Sequence, residues 1–77
     1  MSIIVKMINF LHRNINVNAK DNMGYTPLHI AAGNNLPVMV SALLARGAST
    51  TILDNNGQTA KQVAASLGYS NIVALIP

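Results

Sequence analysis

The chain lacks cysteine altogether and carries only two acidic side chains, Asp21 and Asp54, among its 77 residues. Without thiols there is neither a disulfide framework nor a thiolate metal site to support a small fold, which excludes disulfide-built extracellular scaffolds. The redox compartment stays undetermined, and the expectation leans toward an intracellular, cytoplasmic setting. Charged residues make up 9% of the sequence against 51% apolar ones, so much of the surface has to be neutral polar or apolar. The net charge of +3 comes from Lys6, Arg13, Lys20, Arg46 and Lys61, which are spread along the chain. A scattered excess of this kind is a weak footprint for nucleic acid, which is disfavoured as a partner.

Long apolar runs are missing too. Lys6, Asn9, His12 and Arg13 interrupt the N-terminal stretch, which therefore falls short of the roughly 18–20 residues that cross a bilayer. Residues 1–11 also lack a basic leading segment and a small-residue cleavage site, so the chain is read as soluble and unprocessed. Gly24, Gly33, Gly47, Gly57 and Gly68 match no phosphate-cradling spacing. Ser41, Ser49, Ser66 and Ser70 sit in no nucleophile-elbow pattern. His29 has no nearby set of ligands of the kind zinc requires. No catalytic residue, metal site or cofactor is expected.

What the chain does have is a period. The stretch Asp21-Asn22-Met23-Gly24-Tyr25-Thr26-Pro27-Leu28-His29-Ile30-Ala31-Ala32 returns in weaker form as Asp54-Asn55-Asn56-Gly57-Gln58-Thr59-Ala60-Lys61-Gln62-Val63-Ala64-Ala65. Asp21 recurs as Asp54, Gly24 as Gly57, Thr26 as Thr59 and the Ala31-Ala32 pair as Ala64-Ala65. The offset is the same for all four, and it matches one class of helical repeat, whose unit is about 33 residues long. Equivalent placement in two turns accounts for Asp21 and Asp54 without invoking a catalytic pair of carboxylates.

Local signals fill in the elements. Ile3, Ile4, Met7, Ile8 and Leu11 follow a helical rhythm, widened by Val5 and Phe10, with Asn14 at the expected stop. His12, near that helix end, is read as a partner of the negative pole of its dipole or as plain surface. Residues 15–20 read as an extended connector, and Asp21 to Gly24 as a turn. Thr26 and Pro27 open a helix with a hydroxyl cap and a first-position proline. Leu28, Ala31 and Ala32 form its slim inner face, and Gly33-Asn34-Asn35 ends it. Leu36-Pro37 starts a second helix filled by Val38, Met39, Val40, Ala42, Leu43 and Leu44, closed by Arg46-Gly47. From residue 48 the connector and turn repeat, Thr59 caps a helix running to about Leu67, and Ser70-Asn71 opens a last helix holding Ile72, Val73, Leu75 and Ile76.

Two slim helices per period, introduced by Asp-x-x-Gly-x-Thr-Pro-Leu-His-x-Ala-Ala, resemble the ankyrin repeat. Residues 21–53 keep that pattern at Asp21, Gly24, Thr26, Pro27, Leu28, His29, Ala31, Ala32, Leu43, Leu44, Gly47 and Ala48. They depart from it at Asn35, where the family has Gly, and at Leu36, where it has His. The resemblance implies an all-α, ankyrin-type solenoid of antiparallel helix pairs joined by turn or hairpin loops. It divides the single domain 1–77 into a partial repeat at 1–20, a full repeat at 21–53 and a truncated one at 54–77. That is about two and a quarter repeats where roughly three are usual for a stable stack.

The resemblance also implies a function: a non-catalytic module that binds another protein through its turns and concave helix face. Carried onto this chain, the contact positions are Lys20, Asn22, Met23, Tyr25, Gly33, Asn34, Leu53, Asn55, Asn56, Gln58, Ser66 and Leu67, with Tyr25 the best single anchor because interface hot spots favour Tyr. His29 is implied to be structural, bonded to Thr26 and tying neighbouring turns. The alternatives are self-association through the apolar residues 3–11 and the helix near Ile72, or membership of a longer array.

Overall fold

The computed structural model describes residues 16–77. The helix expected over 3–11, its stop at Asn14 and the reading of His12 lie outside the described residues. The described residues form four helices: α1 (Pro27–Gly33), α2 (Pro37–Ala45), α3 (Ala60–Ser66) and α4 (Ser70–Leu75). No strand occurs among the described residues.

Each repeat's first helix starts by the same device. Thr26 is extended (φ −85°, ψ 167°), its hydroxyl accepts the His29 N–H, and Pro27 occupies the first turn, where a missing N–H costs nothing. Thr59 (φ −75°, ψ 165°) does the same with the Gln62 N–H. Both are reciprocal capping boxes, because the side chains of His29 and Gln62 accept from the cap's own N–H. The second helices use weaker starts: Leu36 and Tyr69 make no side-chain cap bond.

Three helix ends share one geometry, a left-handed residue just past the cap with two back-reaching amides. After α2, Gly47 (φ 84°) donates to Leu44 O and Ala48 to Leu43 O, both at 3.0 Å. After α3, Gly68 (φ 78°) donates to Ala65 O at 3.1 Å and Tyr69 to Ala64 O at 2.9 Å. After α1 the left-handed position belongs to Asn35 (φ 55°), which donates to Ala32 O at 3.4 Å while Leu36 donates to Ala31 O at 3.0 Å. Asn35 thus takes up the backbone role of the glycine it replaces. Its side-chain oxygen accepts from Asn71 Nδ2 at 2.9 Å, a bond that reaches into the next repeat.

The helices form two layers. α1 lies beside α3 and α2 beside α4, while α1 packs on α2 and α3 on α4. Between the layers are Leu28, Ala31, Ala32, Val40, Leu43, Ala48, Ala60, Ala64, Ile72 and Ile76, all buried. The alanines let the helices approach closely. Leu28, Leu43, Ile72 and Ile76 are each almost fully enclosed, contributing about 1.5–3 kcal/mol apiece.

The residues expected to fill α2 all lie in it, and they divide between its faces: Val38 is 77% exposed, whereas Val40 and Leu43 are enclosed. α2 carries apolar residues on every side, so periodicity alone does not say which of them turns inward.

Candidate protein-interaction surface

Each repeat leads into its first helix through a tight finger. Asp21 accepts at its main-chain oxygen from Gly24 N–H (3.0 Å), and its own N–H donates to Tyr25 O (2.9 Å). Its carboxylate takes the N–H groups of Met23 and Tyr25, both at 2.9 Å. Asp54 copies this arrangement with Asn56 (2.9 Å) and Gln58 (3.0 Å). Both carboxylates are therefore engaged in holding turns, as their periodic placement suggested.

The two fingers are fastened to one another. Asn55 N–H donates to Met23 O at 3.1 Å, and Asn55 Nδ2 to Asn22 O at 3.0 Å. At the base, Lys20 Nζ donates to Leu53 O at 2.9 Å, and Asn18 Oδ1 accepts from Ser49 N–H at 2.8 Å. His29 completes the set: Nε2 lies 2.8 Å from Gln58 O, and Nδ1 lies 2.9 Å from Thr26 Oγ1 and accepts the Thr26 N–H at 3.2 Å. A carbonyl only accepts, so the ring hydrogen sits on Nε2 and Nδ1 is the acceptor. The role implied for His29, bonding Thr26 and tying neighbouring turns, is the one the geometry displays.

Below the fingers, α1 and α3 leave a groove of about 380 Å³ between them, lined by Tyr25, His29, Ile30, Gly33, Asn34, Val63 and Leu67. The Tyr25 ring lies tilted against His29, centroids 6.1 Å apart, which steadies it at one end. Gly33 keeps the floor low, since a Cβ there would sit 3.5 Å from Val63 Cγ1. Leu67 is 52% exposed at the other end, and Met23 (55%) and Leu53 (49%) add exposed apolar surface on the finger side of the molecule. Among the described residues no cluster of His, Asp or Glu is arranged to hold a metal ion, and no buried side-chain nitrogen or oxygen lacks a hydrogen bond.

The expected contact positions fall into three groups. Tyr25, Gly33, Asn34 and Leu67 come together in the groove. Asn22, Met23 and Asn56 are exposed near the finger tips with Asn55, and Leu53 is exposed at the base. Lys20, Asn55 and Gln58 already bond across the repeat boundary through side chain or main chain, so they also serve the scaffold. Ser66 stands apart: it is exposed, outside the groove, and its hydroxyl donates to Val63 O at 2.9 Å. Ile30 and Val63 line the groove without having been singled out. The signal was present, because they occupy equivalent positions one repeat apart and each precedes its groove neighbour, Asn34 or Leu67, by one helical turn.

A model of ankyrin repeats, described as three copies, matches residues 3–76. XBAT34 of Arabidopsis thaliana, named as a candidate E3 ubiquitin-protein ligase, is 40% identical over 73 residues, which is 95% of this chain and 19% of that protein. A fowlpox virus protein, FPV219, named as a candidate ankyrin repeat protein, is 54% identical over 39 residues, 51% of this chain and 9% of its own length. The mouse B-cell lymphoma 3 protein homolog is 46% identical over 48 residues, 62% of this chain and 11% of that protein. The chain spans less than a fifth of each of these relatives. Capping boxes at equivalent places in successive repeats, helices layered in pairs, a histidine bonded from one repeat to the next, and a family match over nearly every residue agree: this chain belongs to the ankyrin repeat family.

Proposed function

We propose that this chain is a protein-binding unit whose groove between α1 and α3 receives apolar side chains of a partner protein, with the finger tips supplying the surrounding contacts. Ankyrin repeats are in general protein–protein interaction modules without catalytic activity. The observation that supports the finer reading is the groove itself: Tyr25, Ile30, Val63 and Leu67 line an open concavity whose polar neighbours, His29 and Asn34, are already bonded within the chain. A surface of that kind recognises shape and apolar area, and a half-buried Tyr at its end suits an interface anchor.

The test pairs binding with folding. Replacing Tyr25 and Met23 together by Ala should weaken capture of a partner by the immobilised chain while far-UV helicity stays unchanged. Undiminished binding counts against this surface.

Self-association is the second reading, favoured by one feature of α4. Ile72 is fully enclosed, so the exposed apolar atoms of that helix come from Leu75, 40% exposed, from Ala74 and from half-buried Val73. Light scattering tests it: a clean monomer at high micromolar concentration would sink the idea.

A further inference from the structure

We propose that the Asn56-Gly57 pair is a site of spontaneous deamidation, and that its isoaspartyl product loosens the second finger from His29. It is the single Asn-Gly pair in the sequence. Every other asparagine is followed by a residue with a side chain, and that side chain obstructs the approach of the next main-chain nitrogen to the asparagine carbonyl carbon.

The first finger shows what is particular to the second. There the equivalent residues are Met23 and Gly24, which offer no side-chain amide, and Gly24 is buried with Asn55 lying over it. Asn56 and Gly57 are both exposed, and nothing lies within 4 Å of where a Gly57 Cβ would be. One restraint acts on the reacting nitrogen: Gly57 N–H donates to Asp54 O at 3.0 Å. That bond closes a short turn whose residues Asn55 to Gly57 are exposed, although Asp54 is buried, and such a tip opens locally without unfolding the domain.

The chemistry uses only water. The Gly57 nitrogen attacks Asn56 Cγ, the new C–N bond closes a five-membered succinimide, and the side-chain nitrogen leaves as ammonia with the proton that Gly57 gives up. Water then adds to one of the two ring carbonyls and opens the ring to aspartate or isoaspartate. Nothing is oxidised or reduced. In the isoaspartyl form the main chain runs through Cβ and Cγ and gains one carbon. Gln58 is the next residue after Gly57, and its carbonyl accepts both from His29 Nε2 (2.8 Å) and from Asp54 N–H (2.9 Å). A longer main chain at residue 56, two residues before it, disturbs both bonds at once.

The experiment ages the full chain in mildly alkaline buffer and follows it by peptide mapping with an isoaspartyl methyltransferase assay. The amide-to-acid mass change should accumulate at Asn56 several-fold faster than at any other asparagine, chiefly as isoaspartate. Asn56→Met, which gives the second finger the Asp-Asn-Met-Gly order of the first, should lose it while keeping the fold. Conversion at another asparagine as fast as at Asn56, or at Asn56 only in denaturant, overturns the site. Amide exchange at Asp54, whose N–H donates to Gln58 O, should quicken in the aged protein, and unchanged exchange with isoaspartate present overturns the loosening.

Discussion

His29 Nε2 donates to the main-chain oxygen of Gln58 across 29 residues of sequence, so a side chain that caps one helix also holds the turn introducing the next. Replacing it separates the two tasks. His29→Ala leaves the buried Thr26 without its reciprocal acceptor and removes the tie, a loss of about 1–3 kcal/mol. His29→Gln keeps the cap, as Gln62 does for Thr59 at 2.8 Å, and should fall between Ala and the native residue. Urea titration followed by circular dichroism gives the order.

The two finger glycines should differ sharply when a methyl group is added. Gly57→Ala meets open space and carries only the left-handed backbone cost (φ 74°), about 1–2 kcal/mol. Gly24→Ala has the same conformational problem (φ 78°), and its Cβ would also lie 2.7 Å from the Asn55 main-chain nitrogen, which is not free to move because it bonds to Met23 O. Its denaturation midpoint should fall well below that of Gly57→Ala.

Asn35 offers a test of the α1 ending. Asn35→Ala should cost about 1–2 kcal/mol, because alanine pays the full left-handed penalty and loses the bond to Asn71. Asn35→Gly relieves the conformational cost and loses only that exposed hydrogen bond. Thermal melts should place Gly close to the native protein and Ala clearly below it.

The orientation of α2 can be read from a pair of variants. Val38→Lys, at an exposed site, should stay within about 0.5 kcal/mol of the native protein. Leu43→Ala, at an enclosed one, should lose about 2–5 kcal/mol. Similar effects for the two would contradict the inward and outward faces described for this helix.

Gly33→Ala should raise stability by about 0.4–1 kcal/mol, because the position is helical and the added Cβ finds Val63 at ordinary contact distance. The same methyl group raises the floor of the groove. A partner seated there should bind Gly33→Ala more weakly even though the protein is more stable, a divergence that calorimetry and a binding titration together would detect.

Punctuation made most of the fold legible. Thr26, Pro27, Gly47, Thr59 and Gly68 mark helix starts and stops through local backbone chemistry, which needs no knowledge of neighbours, and all five stand where that chemistry places them. The outward turn of Val38 was not legible, because α2 has too little polar contrast around its circumference. Tyr25, Gly33, Asn34 and Leu67, which line the groove, were reachable only as contact positions implied by the ankyrin resemblance. The inter-repeat bonds of Lys20 and Asn55 were not, since they depend on how closely one finger approaches the other, a distance no single repeat encodes.

The bond from Asn55 N–H to Met23 O joins main chain to main chain. Side-chain identity at Asn22, Met23 and Asn56 is therefore no part of the spacer that keeps neighbouring fingers in register. These positions can be rewritten without moving the frame beneath them, so new recognition properties can arise by substitution at the tips while the stack keeps its pitch.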